Sequence, residues 1–217
     1  LSRGLGDVYK RQACTGKREL NKAKKRAEIV EVATRSFFGR GYGATSMSAI
    51  ADELGGSKAT LWAHFSSKED LFAAVVDNKV ETFSQDVDEV LTGQVFSFPA
   101  LRRACLRFLD CLLRENSVQL FRLVVSEGER FPEINEMFYE RGPFKFRACV
   151  TSFFETRFSH EEAERLTLMT VSAMIGYRSD VLMRPERPTL RDREAFVDMM
   201  IGLIDWPRAL PSEALPA

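Results

Sequence analysis

Two short apolar-striped segments meeting at a glycine pair constrain this chain more than any other feature. In TSMSAIADELGGSKATLWAHF, Met47, Ile50, Ala51 and Leu54 recur at helical spacing, and Leu61 and Phe65 follow Gly55-Gly56. Thr45 or Ser46 can cap the first segment and Ser57 the second, because a hydroxyl accepts from the free N–H groups of a first helical turn. Two short helices joined by a tight glycine-containing turn form a helix-turn-helix unit.

The flanks are helical by period too. A basic run holding Lys17, Arg18, Lys22, Lys24, Lys25 and Arg26 passes into a stripe of Ile29, Val30, Ala33 and Phe37, stopped by Gly39, Gly41 and Gly43. Ser67 opens another helix with Asp70 at the capping-box position. Its stripe, Phe72, Val76, Val80, Phe83, Val87 and Val90, lasts until the break between Gly93 and Pro99. Further apolar faces follow around Leu101–Leu112, Val118–Val125, Ile134–Phe138, Phe144–Phe158, Leu166–Val181 and Phe196–Ile204, with Pro132 suited to a first turn. No β-alternation is evident. The expected fold is all-α with nine or ten helices: an N-terminal three-helix helix-turn-helix domain and a larger helical domain. The expected division is 13–66 for the first, 67–92 for a connecting helix, 93–207 for the second and 208–217 for a frayed tail.

Residues 1–12 are set aside. Their run SRGLGDVYKRQ matches the translation of a transposon-type sequencing adaptor, so they are expected to be adaptor-derived. The whole chain of 217 residues has zero formal net charge, so any affinity for a polyanion has to come from local patches. Cys14, Cys105, Cys111 and Cys149 form no C-x-x-C pair and read mainly as reduced core residues, with a redox-sensing thiol the lesser option. Neither a membrane span nor a signal peptide is evident, which points to the cytoplasm.

The run AEIVEVATRSFFGRGYGATSMSAIADELGGSKATLWAHFSSKEDLFAAVV resembles the DNA-binding domain of the TetR (tetracycline-repressor) family. The shared pattern is an amphipathic helix ending in F-x-x-x-G-Y, then T-S/T, I-A, L-G, S-K-x-T-L, an aromatic, H-F and S-K-E-x-L-F. FRLVVSEGERFPEINEMFYERGP also looks like the ligand-domain type of a subgroup of such regulators. Two residues depart from the pattern: Gly56 stands where an apolar residue is usual, and Trp62 where tyrosine is usual.

The helix-turn-helix reading puts Ser57, Lys58, Ala59 and Thr60 on the first turn of the recognition helix, where such proteins read bases. Lys58 can bond guanine or a phosphate, Thr60 can donate or accept, and Ala59 can meet a thymine methyl. The resemblance further implies backbone contacts from Thr45, Ser46 and Ser48, and a phosphate clamp of Trp62, His64 and Lys68. Each residue alone has a plainer explanation: the hydroxyls as caps, His64 as a surface histidine without a metal-binding partner, the basic run as a solvated face. Together, in this order, they point to double-stranded DNA.

In the body, Phe108, Phe121, Phe138, Phe144 and Met174 can wall an apolar cavity, with Arg122, Glu127, Arg147 and Tyr177 as polar anchors for a small-molecule effector. Each aromatic on its own also suits a plain core. The resemblance implies a homodimer through the last two helices. There Phe196, Met200, Leu203 and Ile204 form one apolar stripe, and Ser172, Ala173 and Gly176 allow close approach. The expected protein is a repressor released from a palindromic operator by an apolar or amphipathic ligand. It needs no cofactor or metal and is not an enzyme, since no metal-ligand cluster, nucleophile elbow or phosphate loop is apparent. A binding module whose helix-turn-helix no longer touches DNA is the alternative.

Overall fold

The computed structural model describes residues 4–55 and 58–206, and side chains apart from those of 4–17, 82–84 and 86–89. Gly56, Ser57, the side chains of Cys14, Lys17, Phe83 and Val87, and the tail 208–217 therefore lie outside the described residues. Among the described residues the chain forms ten helices and no strand. They are α1 (Gly4–Arg40), α2 (Met47–Glu53), α3 (Lys58–His64), α4 (Lys68–Leu91), α5 (Phe98–Leu113), α6 (Glu115–Glu127), α7 (Pro132–Arg141), α8 (Pro143–Glu155), α9 (His160–Met183) and α10 (Leu190–Leu203). α1 takes in residues 4–12 as helix, so the segment set aside in the sequence continues the same rod.

Local chemistry sets most of the boundaries. Ser46, Ser97, Ser159 and Thr189 cap α2, α5, α9 and α10, and the last two helices carry full capping boxes with Glu162 and Asp192. Pro132 sits in the first turn of α7, where a missing N–H costs nothing. At α4 the Ser67 hydroxyl accepts from the Asp70 N–H, but the Asp70 carboxylate reaches past Ser67 to the backbone and hydroxyl of Ser66. The capping box expected there is thus displaced by one residue. α1 ends at Arg40, inside the run of glycines expected to stop it, and Gly41 follows with a left-handed backbone. Arg40 bonds Glu53 at 2.7 Å and Ser36 donates to the same carboxylate, which fastens α1 to α2.

Two apolar cores are built. The first joins Ile29, Ala33, Phe37, Tyr42, Ile50, Leu61, Phe65 and Phe72 from α1–α4 with Leu120, Leu123, Val124 and Ile134 from α6 and α7. The second is made by α5, α8, α9 and α10 around Leu101, Leu109, Phe154, Val171, Met174, Val181 and Val197. α6 and α7 therefore belong to the packing of the N-terminal head, although they follow the expected domain boundary by more than twenty residues.

The apolar stripe expected to face a second chain instead faces inward for most of its length. Met200 is buried, Phe196 stacks on Tyr177 with ring centroids 4.2 Å apart, and Ile204 packs against the second core. The large apolar side chains exposed on the last two helices are Leu168, Met169, Met199 and Leu203, the last 77% exposed, with Met183 and Leu190 at the helix ends. Arg102–Asp198 at 2.6 Å and Arg193–Asp110 pin α10 to α5, which fixes this orientation. Burial raises the Cys105 thiol to about 12, so it stays protonated and inert, and Cys111 is buried as well.

Candidate functional site

The short helices α2 and α3 hold their outer faces to solvent because their inner faces are spent on the first core. Met47, Ile50, Ala51 and Leu61 are buried, whereas Ser46, Ser48, Lys58, Ala59 and Trp62 are exposed. Trp62, half exposed as a large aromatic, is one turn along α3 from Lys58. Ser46 spends its oxygen on the Ala49 N–H, which leaves its hydroxyl hydrogen free to donate. Thr60 and His64 are half-buried at the margin of this surface. Arg18, Lys22, Lys24 and Arg26 are exposed along α1, and the Arg26 guanidinium lies 4.7 Å from the centre of the Phe65 ring, so basic charge runs beside α3.

Two residues assigned to this surface do other work. Thr45 is buried, donating to the carbonyls of Ser36 and Gly41, and so locks the turn after α1. Lys68 donates to the carbonyls of Tyr42 at 2.9 Å and Thr45 at 3.2 Å, with its ammonium 4.2 Å from the centre of the Tyr42 ring. An ammonium held by two carbonyls and a ring face is a structural clamp within the head. Beside it, Tyr42 donates to Glu69, and its phenol is pushed up by burial and by that carboxylate.

The head meets the body at the same place. Glu127, the last residue of α6, accepts from the Gly43 N–H at 3.0 Å, and Phe131 packs edge-on against Tyr42. Gly41 holds a left-handed φ of +86°, and any β-carbon there would collide with the Glu127 carboxylate.

Between the two cores lies a cavity of about 300 Å³. α6 and α7 supply Leu120, Phe121 and Phe138 from the side of the head, and α5, α8 and α9 supply Phe108, Phe146, Arg147, Val171, Ile175 and Arg178. Of the residues nominated from sequence, Phe108, Phe121, Phe138 and Arg147 line it. Arg122 and Phe144 point to solvent, Met174 sits in the second core, and Tyr177 is spent on Phe196. Arg178 was missed. Its signal was its place in the set Val171, Met174, Ile175, Arg178, which puts an arginine on the inward face of α9.

Residues 29–75 match the family described as "Bacterial regulatory proteins, tetR family", and residues 99–164 match "AefR-like transcriptional repressor, C-terminal domain". The chain belongs to the TetR family. TetR-family relatives include the HTH-type transcriptional activator FasR of Mycolicibacterium smegmatis, 34% identical over 105 residues, covering 48% of this chain and 47% of FasR. The HTH-type transcriptional regulator TtgR of Pseudomonas putida is 35% identical over 130 residues, covering 57% of this chain and 53% of TtgR. The chain thus spans about half the length of these curated relatives. Among solved TetR-family structures, the flavonoid-responsive regulator FrrA superposes with a TM-score of 0.69 at 27% identity, covering 83% of this chain and 94% of FrrA. No helix among the described residues is long and apolar enough to cross a membrane, and among them no group of three His, Cys, Asp or Glu is placed to hold a metal.

Proposed function

We propose that the protein is a DNA-binding transcriptional repressor, working as a homodimer on a palindromic operator and released by a small molecule bound between its two cores. The observation that carries this reading is the pairing of an exposed α2–α3 surface, with Lys58 on it and the basic run of α1 beside it, with an apolar cavity whose α6 wall also bonds the head. The C-terminal match to a repressor's domain favours repression, and the likeness to a flavonoid-responsive regulator favours a small-molecule signal. A ligand releases DNA only when it prefers the arrangement of heads that DNA does not fit.

Gel shifts on the DNA flanking the gene, run across a salt series, test the reading. The parent chain is expected to bind with a steep salt dependence. Lys58→Ala should weaken binding and lower the salt slope by about one. Lys68→Ala should leave the slope alone and lower the melting temperature, since its ammonium is tied within the head. The reverse pattern would put the phosphate contacts elsewhere, and no shift at any salt would leave only a small-molecule-binding module.

Dimerisation is assigned to the outer face of α9 and α10. Leu168 and Met169 lie exposed there, a β-carbon on Gly176 would meet nothing, and Met199 and Leu203 stand exposed on α10. Such an apolar patch is usually covered in soluble proteins, and two-fold pairing would cover it on both chains. Met199→Glu with Leu203→Glu is expected to give folded monomers in sedimentation, with operator affinity falling steeply because two half-sites are no longer linked. Met200→Glu is expected to unfold the body instead. A double variant still dimeric at micromolar concentration would place the interface elsewhere.

A further inference from the structure

The cavity wall carries an unusual charge balance. Lys79, Arg147 and Arg178 all line it, and among the described residues no aspartate or glutamate does. Arg178 is only 6% exposed, and its Nε is buried with no hydrogen-bond partner. Its guanidinium carbon lies 3.5 Å from the centre of the Phe121 ring. That contact places the positive charge against a ring face but leaves the Nε–H, a donor on the rim of the guanidinium, unsatisfied. Desolvation brings the Arg178 guanidinium down to about 10, so it stays charged at neutral pH. A charge taken out of water without an acceptor is costly to keep, and a bound carboxylate would meet the rim donors with two parallel hydrogen bonds.

The remaining wall is aromatic: Phe108, Phe121, Phe138, Tyr139 and Phe146 present their rings to the space, with Phe108 and Phe146 stacked at 4.1 Å. Flat rings favour a flat ligand, which can stack offset or edge-on against them. From the effector reading above, on which this step rests, we infer that the cavity takes an aromatic carboxylate, its ring among the phenylalanines and its carboxylate on Arg178. Arg147 and Lys79, half-buried at the same wall, add long-range attraction without competing for that geometry.

Naphthoate, naphthamide and naphthylmethylammonium share one ring system and differ in charge, so displacement of the neutral fluorophore N-phenyl-naphthylamine by each from the whole chain isolates the charge preference. Naphthoate is expected to compete about tenfold or more better than naphthamide, the size of a hydrogen-bonded charge contact, and the ammonium is expected to compete least. In Arg178→Gln the advantage of the acid should vanish while naphthamide competes as before. Arg178→Lys, which keeps a charge but loses the fork, should retain only part of the advantage and serves if the glutamine variant does not fold. Equal competition by acid and amide in the parent chain, or a preference for the ammonium, overturns the inference while leaving the cavity as a binding site. A parent chain that does not bind the fluorophore at all removes the effector reading, and this inference with it.

Discussion

Phe37→Ala is expected to destabilise the protein by about 3–5 kcal/mol, against roughly 5–15 kcal/mol for a typical domain. Phe37 is wholly buried at the centre of the head, stacked on Tyr42 at 5.6 Å and edge-on to Phe72 at 5.4 Å. Removing its ring opens a void among groups that cannot close on it. Phe72 is fixed by α4, and Tyr42 is held by the Lys68 clamp and by Phe131. The same three rings set the angle between α1 and the turn that launches α2, so operator affinity should fall with stability. Urea unfolding gives the energy, and Phe144→Ala is the control. Phe144 is 60% exposed, with the Tyr139 ring centre 6.4 Å away, and its loss should stay within about 0.5 kcal/mol. A Phe37→Ala cost under about 1 kcal/mol would mean that the head is not packed as described.

Gly41→Ala should separate sensing from DNA binding. The left-handed φ alone costs a non-glycine residue about 1–2 kcal/mol. The greater effect is the collision of the new methyl with the Glu127 carboxylate, which has to swing off the Gly43 N–H. With that bond gone α6 keeps its place in the head's core through Leu120, Leu123 and Val124, but the turn after α1 loses its polar tie to the end of that helix. The factor by which a cavity ligand weakens operator binding should then drop toward one, from the 5- to 150-fold range usual for coupled sites. Fluorophore affinity in the cavity should stay near the parent value, since no lining residue has changed. Glu127→Gln keeps an acceptor for Gly43 and is expected to lose much less coupling. Measuring operator affinity with and without ligand in all three chains decides the matter, and full coupling in Gly41→Ala would rule this junction out as the link.

The head was legible in the sequence because its determinants are local. Hydroxyl caps, glycine stops and 3.6-residue stripes lie within a few positions of the structure they specify, and α2 and α3 formed where these signals placed them. Residues whose roles depend on distant partners were not legible. Lys68 reads as a free cation until Tyr42 folds back over it, and Thr45 reads as a cap until the carbonyls of Ser36 and Gly41 close on it. Glu127 meets Gly43 across 84 positions, a pairing that no periodicity announces. The orientation of α10 was misjudged for a related reason. Phe196, Met199, Met200 and Leu203 leave it apolar on more than one side, and the choice between sides was made by Arg102 and Arg193 reaching across from and to α5. Arg178 was passed over because an arginine usually snorkels to water, whereas here the ring of Phe121 and the cavity hold it in.

The cavity's place at a seam has a bearing on how such a protein can diverge. Leu120 is at once a wall of the cavity and a member of the head's core, and Glu127 stands seven residues further along the same helix, about 10 Å away. A substitution at Leu120 therefore alters the sensor and the footing of the reader together. Phe146, Arg147, Val171 and Ile175 face the same space from α8 and α9, outside the head's core. Descendants of this chain can exchange those four side chains and acquire taste for a new molecule while the grip on DNA passes on unaltered. Drift in ligand preference should accumulate on one wall of the cavity, and the opposite wall should keep the record of the ancestor.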